Sequence, residues 1–451
     1  MSQEEFGLKR VLGLRDVVAV EIGQTIGAGV FVLTGLAMAS SGGSLPLAYI
    51  IAVVPFIFAY GALAMLGSAM PTTGGTYHYV SRLFCPTWGF VGIWGYVAGA
   101  LLGAFPLYAL GCAKYMQAIW PALPTVPTAA CLLTVLFVAN LFGMALAAVV
   151  QALAVVVLLV ALAAFVILGV PHVAAANLAP LLPKGVGGLL MASALLTFTQ
   201  AGANAVVELG GEIKEPERVI PRSFLFSVPI VTVFYVLIGL VAAGVRPWGQ
   251  SAGQPLTAVA AAFMGRGAFA FFVLGGGVLA ILTTLNASFM WGTKSLMKMA
   301  ADGWFPRRLA DVSRRFGTPH WFLTIIWAVS MVALVAMGEA YLDVFASLAA
   351  IGSMVIFLPV MGAALALRKR APEAYAAAPF KLKGAWYHVA PGVGIVFSLA
   401  TMAMLLGDLL GKPRGGLFGG LFLAWLAVGW VYALWRGRSG IRHHGLPTAG
   451  C

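Results

Sequence analysis

Three observations in the sequence predict an all-α polytopic membrane protein with twelve transmembrane helices. Of the 451 residues, 61% are hydrophobic and 9% are charged, and a soluble chain of this size could not keep so much apolar surface out of water. The apolar residues form twelve runs, each long enough to cross a bilayer. The basic residues collect in alternate loops between those runs.

The twelve predicted spans follow one another with short loops, and we find no linker or soluble domain between them. The whole chain, 1–451, is therefore expected to form one transmembrane domain. The spans are predicted at about 16–39, 45–69, 86–117, 125–143, 145–170, 187–211, 221–245, 267–300, 319–337, 341–367, 391–410 and 416–435.

The net charge of +13 is explained by topology. With the N-terminus in the cytoplasm, 21 of the 27 Lys and Arg residues fall in inside loops and 6 fall outside. This bias predicts that both termini are cytoplasmic. It also accounts for the basic character of the chain without a nucleic-acid partner.

Two spans are interrupted by polar, glycine-rich stretches. The first span contains EIGQTIGAGVF, with Gly27 near the middle of the span. The sixth reads LLTFTQAGANAVVELGGE, in which Gly202 is surrounded by hydroxyl and amide side chains. Glycine weakens a helix interior by about 1 kcal/mol relative to alanine, and polar groups in hydrocarbon cost more. Such stretches indicate a functional site, although small residues in one cluster could equally be helix-packing contacts.

The matching positions of the two interruptions predict two structural repeats of five helices, each opening with a discontinuous helix. The repeats are expected at about 14–170 and about 187–367. Two extra helices are expected at about 391–435.

An unwound helix at mid-membrane exposes backbone groups that can bind a ligand. Amides near Gly27 to Val30 lie at a positive helix end and could hold a carboxylate. Carbonyls near Phe198 to Gly202 and the Asn204 side chain could accept hydrogen bonds from an ammonium group. An α-amino acid fits both. The predicted binding residues are Gln24, Thr25, Ile26, Gly27, Ala28, Gly29, Phe198, Thr199, Gln200, Ala201, Gly202, Asn204 and Asn286.

Four ordered stretches carry a family resemblance that extends from about Leu8 to about Leu367. They are LKRVLGLRDVVAVEIGQTIGAGVFVLTG, PTTGGTYHYVSRLF, GGEIKEPERVIPRS and LAILTTLNASFMWGTKSLMKMAADGWFPRRLADVSRRFGTPH. Together they resemble the amino acid–polyamine–organocation (APC) superfamily of secondary transporters, and its amino acid permeases in particular. The resemblance implies a LeuT-type five-plus-five inverted repeat with discontinuous helices 1 and 6. It also implies alternating access and substrates that are usually amino acids or amines.

The sequence departs from the family pattern at three places. Members commonly have Gly-aromatic-Glu in broken helix 6, whereas this chain has Gly202, Ala203 and Asn204, so a strongly cationic substrate is not expected. Gln24 stands where many members have a small or aliphatic residue and is expected to contact the ligand. Some proton-coupled members carry a lysine on helix 5, yet 145–170 has no charged residue.

Four residues are candidates for ion coupling. Glu21 and Glu208 are acids within or near interrupted spans. Glu21 could bind a proton, pair with a basic residue or lie in a solvated position. Glu208 could be a buried functional acid or a residue at the cytoplasmic end that pairs with Lys or Arg. Thr283 and Thr284 could complete an oxygen cage for Na⁺ with carbonyls from the first interruption. Threonines in membrane helices also commonly bond to their own backbone.

The sequence therefore predicts a secondary active transporter of neutral amino acids in the bacterial inner (plasma) membrane, working as a proton symporter or an exchanger. Alternatives are an amine or polyamine carrier, a sodium-coupled amino acid symporter, a channel and a membrane-embedded enzyme. Against an enzyme, we find no His/Asp/Glu cluster, phosphate loop or activated nucleophile in the sequence. The expected partners are an amino acid, a coupling proton, counter-substrate or sodium ion, and the lipid bilayer. No cofactor, metal or nucleic acid is expected.

Overall fold

The computed structural model describes residues 10, 12–27, 29–141, 147–311, 313, 318–411 and 415–437. Within these ranges the secondary structure is helical, with two isolated β-bridges, Leu12 with Ile213 and Thr73 with Leu209. Leu12 N donates to Glu212 O at 3.0 Å, and Lys214 N donates to Leu12 O at 2.9 Å. The segment before the first helix is thereby tied to the loop that follows the second interrupted region.

Up to Gly169, the described residues form eight α-helices. They are α1 (Leu14–Thr25), α2 (Thr34–Ser41), α3 (Leu45–Ala69), α4 (Gly75–Tyr79), α5 (Pro86–Gly99), α6 (Phe105–Gln117), α7 (Thr125–Leu141) and α8 (Ala147–Gly169). Wider π-helical turns at Gly29–Leu33, Val80–Phe84 and Ala100–Ala104 join neighbouring helices into longer rods. Short 3₁₀ turns lie at Gly42–Ser44, Val170–His172 and Ala175–Leu178.

From Gly185 onward, the described residues form thirteen more. They are α9 (Gly185–Gln200), α10 (Ala205–Glu208), α11 (Pro216–Gly244), α12 (Trp248–Ser251), α13 (Leu256–Ala260), α14 (Arg266–Phe271), α15 (Leu279–Gly292), α16 (Lys294–Ala301), α17 (His320–Met337), α18 (Leu342–Arg370), α19 (Pro372–Ala377), α20 (Trp386–Gly411) and α21 (Gly415–Gly437). A π-helical stretch, Phe272–Val278, joins α14 to α15, and 3₁₀ turns lie at Arg307–Ala310 and Glu339–Tyr341.

Ten helical segments among the described residues are long and apolar enough to cross a membrane. The first, Leu14–Ala69, covers two predicted spans, and the shorter apolar helix Thr125–Leu141 corresponds to a third. These segments support an integral membrane protein. The count of twelve spans, the two repeats and the cytoplasmic placement of both termini stay predictions.

Glycines allow α5 and α18 to pack backbone against backbone. A Cβ added at Gly99 would lie 2.6 Å from the Cα of Gly352, and one added at Gly352 would lie 2.7 Å from the Cα of Gly99. One turn further on, a Cβ at Gly103 would lie 2.6 Å from the backbone nitrogen of Ala349. Small residues that permit such close approach are typical of helix pairs in membranes. This contact fixes the wall that carries Ala100, Ala104 and Ala349 towards the centre of the bundle.

We expect Gly99→Ala to destabilise the protein, because the new methyl group has only backbone in front of it and backbone cannot move aside. Overpacking of this kind costs about 1–3 kcal/mol. The matched control is Gly407→Ala in α20, where nothing lies within 4 Å of the added Cβ. Thermal unfolding in detergent measures the difference, and equal melting of the two variants would contradict the packing described here.

Candidate binding site

The first interruption lies between α1 and α2. Ile26 N closes the last turn of α1 onto Ile22 O at 2.7 Å, and Gly27 N donates to Thr25 O at 3.0 Å. The chain resumes a helical path at Gly29–Leu33. Gly27 is required here because a Cβ would lie 1.9 Å from the Thr284 hydroxyl oxygen on α15. Ala28, one of the predicted binding residues, is outside the described residues.

The second interruption lies between α9 and α10. Residues 201–204 form turns, in which Ala201 N donates to Phe198 O at 3.2 Å and Ala205 N donates to Gly202 O at 3.1 Å. The following helix, α10, has only four residues before the chain turns again at Leu209.

The two interruptions touch each other directly. A Cβ added at Gly202 would lie 2.4 Å from both Cα and N of Thr25, and one at Gly29 would lie 3.2 Å from the Cα of Thr199. The buried Tyr235 hydroxyl on α11 bridges the pair, donating to Thr25 O at 2.6 Å and to Thr199 O at 3.1 Å. One side chain thus satisfies a carbonyl of each interruption.

The carbonyls of the second interruption are less available than the sequence suggested. Gln200 O accepts from the Tyr60 hydroxyl, Thr199 O accepts from Tyr235, and Phe198 O and Gly202 O accept from backbone amides. Within Phe198–Gly202, the Ala201 carbonyl is the one to which the described residues bring no donor. Tyrosines from α3 and α11 thus donate to two of the carbonyls that the sequence proposes as ammonium acceptors, and backbone amides donate to two more.

A cavity opens beside the two interruptions, with about 760 Å³ of empty space including the part open to solvent. Its apolar walls come from α5, α6, α9, α15 and α17, and its polar groups are hydroxyls, amides and opened backbone. No Asp, Glu, Lys, Arg or His is among the described residues that line it. The main wall residues are Tyr96, Val97, Leu101, Phe105, Tyr108, Phe198, Trp291 and Ile326.

The Gln24 side chain, which borders this cavity, carries a hydrogen-bond acceptor without a partner among the described residues. Ser288 Oγ donates its single proton to Thr284 O at 2.8 Å, so it must accept from Gln24 Nε2, which lies 3.3 Å away. This pairing orients the amide and leaves Gln24 Oε1 as a buried acceptor to which the described residues supply no donor.

Most of the predicted binding residues meet at the cavity. Those that line it are Gln24, Thr25, Gly27, Gly29, Phe198, Thr199, Ala201, Gly202 and Thr284. Ile26 and Gln200 are buried within the protein and are not among the lining residues. The hydroxyls of Thr25 and Thr199 donate back to carbonyls of their own helices, Glu21 O and Leu196 O, each at 2.7 Å.

Two asparagines predicted to line the site lie elsewhere. Asn286 Oδ1 accepts from Asn140 Nδ2 at 2.7 Å and is not at the cavity, because α15 presents Thr284 and Ser288 there and residue 286 is about half a turn away. Asn204 lines a second, smaller cavity together with Glu208. Tyr96, Val97, Trp291 and Gly292 border both cavities.

The four ion-coupling candidates occupy different environments. Thr283 Oγ1 donates to Ala280 O at 2.9 Å on its own helix, whereas Thr284 Oγ1 donates to Gly23 O of α1 at 3.2 Å. Glu208 accepts from Thr76 N at 3.1 Å and from Ser295 Oγ at 2.8 Å. Glu21 faces α11, and its Oε1 lies 2.8 Å from Ser223 Oγ.

Several cavity residues were not predicted. Phe105 and Tyr108 come from α6, Ser288 from α15, and Ala349 and Ser353 from α18. The one available signal was the i, i+4 spacing of Thr284 and Ser288, which places both on one helix face. The others belong to apolar spans whose sequences do not show which face meets the site.

Comparisons with known proteins identify the family. The amino acid permease family model matches residues 12–432. The chain belongs to the amino acid permease family. Branched-chain amino acid permease BcaP of Bacillus subtilis (strain 168) is 27% identical over 449 residues, covering 95% of this chain and 93% of its own length. BcaP of Lactococcus lactis subsp. cremoris (strain MG1363) is 24% identical, covering 94% of each chain.

A third relative carries a different solute in its name. The methylthioribose transporter of Bacillus subtilis (strain 168) is 26% identical over 387 residues, which is 81% of this chain and 83% of its own length. Family membership, the transporter relatives and the ten apolar segments establish an integral membrane protein of amino acid transport. They confirm the resemblance to APC superfamily transporters that the sequence motifs carried.

The contact between the two interruptions yields a direct test. Gly202→Ala should lower amino acid uptake by tenfold or more, because its methyl group would lie 2.4 Å from the Thr25 backbone and would push the interruptions apart. The control is Gly187→Ala in α9, the helix before the turn; Gly187 is exposed and has nothing within 4 Å of the added Cβ. Uptake is normalised to folded protein in the membrane. Normal uptake by Gly202→Ala would contradict the described contact.

Proposed function

We propose that this permease is a secondary active transporter of neutral amino acids with aliphatic side chains. It works by alternating access in the bacterial inner membrane, with both termini cytoplasmic, as a proton symporter or an exchanger. The observation that carries the proposal is the absence of charged residues from the described lining of the cavity, combined with opened backbone at its edge. A cationic or anionic side chain would lose its hydration there without gaining a countercharge.

The ligand's carboxylate is placed at the start of the helical segment Gly29–Ser41. The first amides of a helix have no partners within that helix, and the aligned peptide dipoles give this end a positive partial charge. Gly27 and Gly29 both line the cavity, so this stretch of backbone lies at the cavity surface.

The ligand's ammonium is placed near Gln24 Oε1 and Ala201 O. Both are acceptors to which the described residues bring no donor, and hydrogen bonds to a charged group contribute about 1.5–3 kcal/mol. The ligand's side chain then faces Phe105, Tyr108 and Ile326. Phe198 and Tyr108, whose ring centroids are 6.0 Å apart, form an aromatic wall beside the second interruption.

The names of two relatives support this assignment. Two of them, each covering over nine-tenths of the chain, are named branched-chain amino acid permeases. The methylthioribose transporter favours a second candidate, a neutral solute with an apolar thioether group. An uncharged cavity of this kind accepts either solute, so the two candidates differ in whether an α-carboxylate and an α-ammonium are required.

Proton coupling or exchange is favoured over sodium coupling by the contacts of the two threonines on α15. The Thr283 hydroxyl bonds to its own helix, and the Thr284 hydroxyl bonds directly to Gly23 O. A sodium cage would need both hydroxyl oxygens and the carbonyl to converge on one cation.

Uptake into proteoliposomes tests the proposal. We expect leucine, isoleucine and valine to accumulate under an inward proton gradient or to exchange with preloaded substrate. Arginine, glutamate and putrescine should not be transported, because the cavity has no countercharge for them. Transport of amines alone would contradict the carboxylate site, transport of methylthioribose alone would establish the second candidate, and dependence on a sodium gradient would restore Thr283 and Thr284 as coupling residues.

The role of Gln24 has a separate test. Gln24→Leu removes the ammonium acceptor and should raise KM for leucine by about tenfold, the loss expected for one hydrogen bond to a charged group. Asn286→Leu alters a similar amide that lies away from the cavity, so it should change the yield of folded protein and leave KM alone. Equal effects of the two variants on KM would contradict the assignment.

A further inference from the structure

We propose that Glu21 binds the coupling proton, in a site between α1 and α11 that is separate from the substrate cavity. The inference rests on the proposed function, since it names the ion site of that transport cycle. It does not follow from the cavity, because Glu21 is not among the residues that line it. The inference depends on one observation: the Glu21 carboxyl group is fully buried, faces serine hydroxyls of α11 and has no basic side chain among its described contacts.

Glu21 faces a row of buried side chains on α11, three of which carry hydroxyl groups. Glu21 is 0% exposed, and its Oε1 lies 2.8 Å from Ser223 Oγ. Ser223, Ser227, Val231 and Tyr235 are all buried and recur every fourth residue, so they form one row along the helix. Ser227 faces the same carboxyl but falls short of hydrogen-bond geometry, and both Ser227 Oγ and Glu21 Oε2 are buried without a partner among the described residues.

The hydrogen bonds of Ser223 indicate which form of Glu21 this arrangement fits. Ser223 Oγ is 2.9 Å from Ile220 O, one turn back on its own helix. Ser223 has one proton and two acceptors within reach, Glu21 Oε1 at 2.8 Å and Ile220 O at 2.9 Å. With Glu21 as a carboxylate, both acceptors compete for that one proton. With Glu21 protonated, the acid donates to Ser223 Oγ while the serine donates to Ile220 O, and both contacts are then complete hydrogen bonds.

The neighbouring charges give no alternative partner for a carboxylate. The helices packed against α1 are chiefly α11, α8, α15 and α10. Helices α8 and α15 contain no charged residue, and α10 contributes only Glu208, which is held by Thr76 and Ser295.

On α11, Arg222 is exposed, and Arg218 is exposed and paired with Glu215 at 3.6 Å. Arg15 and Asp16 on α1 are exposed, Glu217 on α11 is half-buried, and the Tyr60 hydroxyl bonds to Gln200 O.

A charged Glu21 would therefore be buried without a countercharge, which costs several kcal/mol. Two ways of avoiding that cost remain: the acid stays protonated, or water enters between α1 and α11 and solvates the carboxylate. Protonation thus favours the closed contact, and release of the proton to water accompanies its opening. The proton enters from water on one side and returns to water on the other, with no other change in bonding.

Two contacts connect this site to the substrate cavity. Thr25 Oγ1 donates to the backbone carbonyl of Glu21 at 2.7 Å, and Thr25 lines the cavity. Tyr235, at the far end of the α11 row, donates to Thr25 O. Any movement of α1 away from α11 therefore displaces the backbone at which the ligand is placed. Two sites are coupled when both act on one element with two states, and here that element is the contact between α1 and α11.

His78 does not compete for this role. Burial, together with the nearby Lys298 and Arg82, lowers the pKa of His78 to about 3. Its imidazole is therefore neutral near neutral pH and binds a proton only in much more acidic solution. Titration of His78 cannot drive transport near neutral pH.

The test compares Glu21→Gln with Glu339→Gln in proteoliposomes. Glu339 is an exposed acid paired with Lys114 at 3.6 Å, so its variant should behave as the unmodified protein does. For Glu21→Gln we expect leucine counterflow to persist, while solute-driven proton entry, followed with a trapped pH dye, disappears. A gradient of one pH unit, which can drive about tenfold accumulation, should then drive none. Glu21→Asp should restore proton entry.

Two further measurements separate this inference from the proposed function and guard against misfolding. In pH-jump infrared difference spectra of the purified protein, a carboxylic-acid carbonyl band should appear and be absent from Glu21→Gln, whatever the solute. Ser223→Ala removes the acceptor of the acid proton and should lower the pH midpoint of proton entry by about half a unit. Persistent gradient-driven accumulation by Glu21→Gln, or an infrared band that survives in it, would overturn the proton site and leave the amino acid assignment standing. Failure of the unmodified protein to move amino acids would overturn the proposed function instead.

Discussion

The contact of Gly202 with the backbone of Thr25 is the constraint on which the rest of the site depends. Two helices can be opened within an apolar bundle only if the polar groups that are exposed find partners. Here the two interruptions supply that surrounding for each other, and the Tyr235 hydroxyl bonds to a carbonyl of each. A side chain at residue 202 would separate them. Glycine is therefore required at residue 202 because its backbone lies so close to the backbone of Thr25.

The chemistry of the cavity follows from what remains once those partners are assigned. Tyrosines and backbone amides occupy most carbonyls of the second interruption, which leaves Ala201 O, Gln24 Oε1 and the amides at the start of Gly29–Ser41. These few groups match the two charged ends of a zwitterion, and the uncharged walls match an aliphatic side chain. In the proposed function backbone dipoles bind the ligand, so the site can be polar enough for an amino acid although its described lining has no Asp, Glu, Lys, Arg or His.

Most of the helices could be predicted from the sequence, but only some of the residues that line the cavity could. Apolar runs predict membrane helices because the bilayer fixes their length, and the described helices follow those runs closely, as at 86–117. Glycine and amide clusters predict the interruptions because both residue types are costly in the interior of an apolar helix. The roles of Tyr235, Tyr60 and Ser288 could not be predicted, since each depends on a contact across more than 130 residues of chain. Asn286 shows the reverse: its residue type suits a binding site, but the rotation of α15 turns it towards Asn140.

The most direct test of the account is equilibrium competition for labelled leucine on the purified permease in detergent. The competitors are leucine, leucinamide, which lacks the carboxylate, and 4-methylpentanoate, which lacks the ammonium group. We expect unlabelled leucine to displace the label. Each truncated analogue should bind at least tenfold more weakly than leucine, because each loses charge-assisted hydrogen bonds at one interruption. Equal binding of either analogue would show that the corresponding interruption does not contact the ligand and would contradict the account.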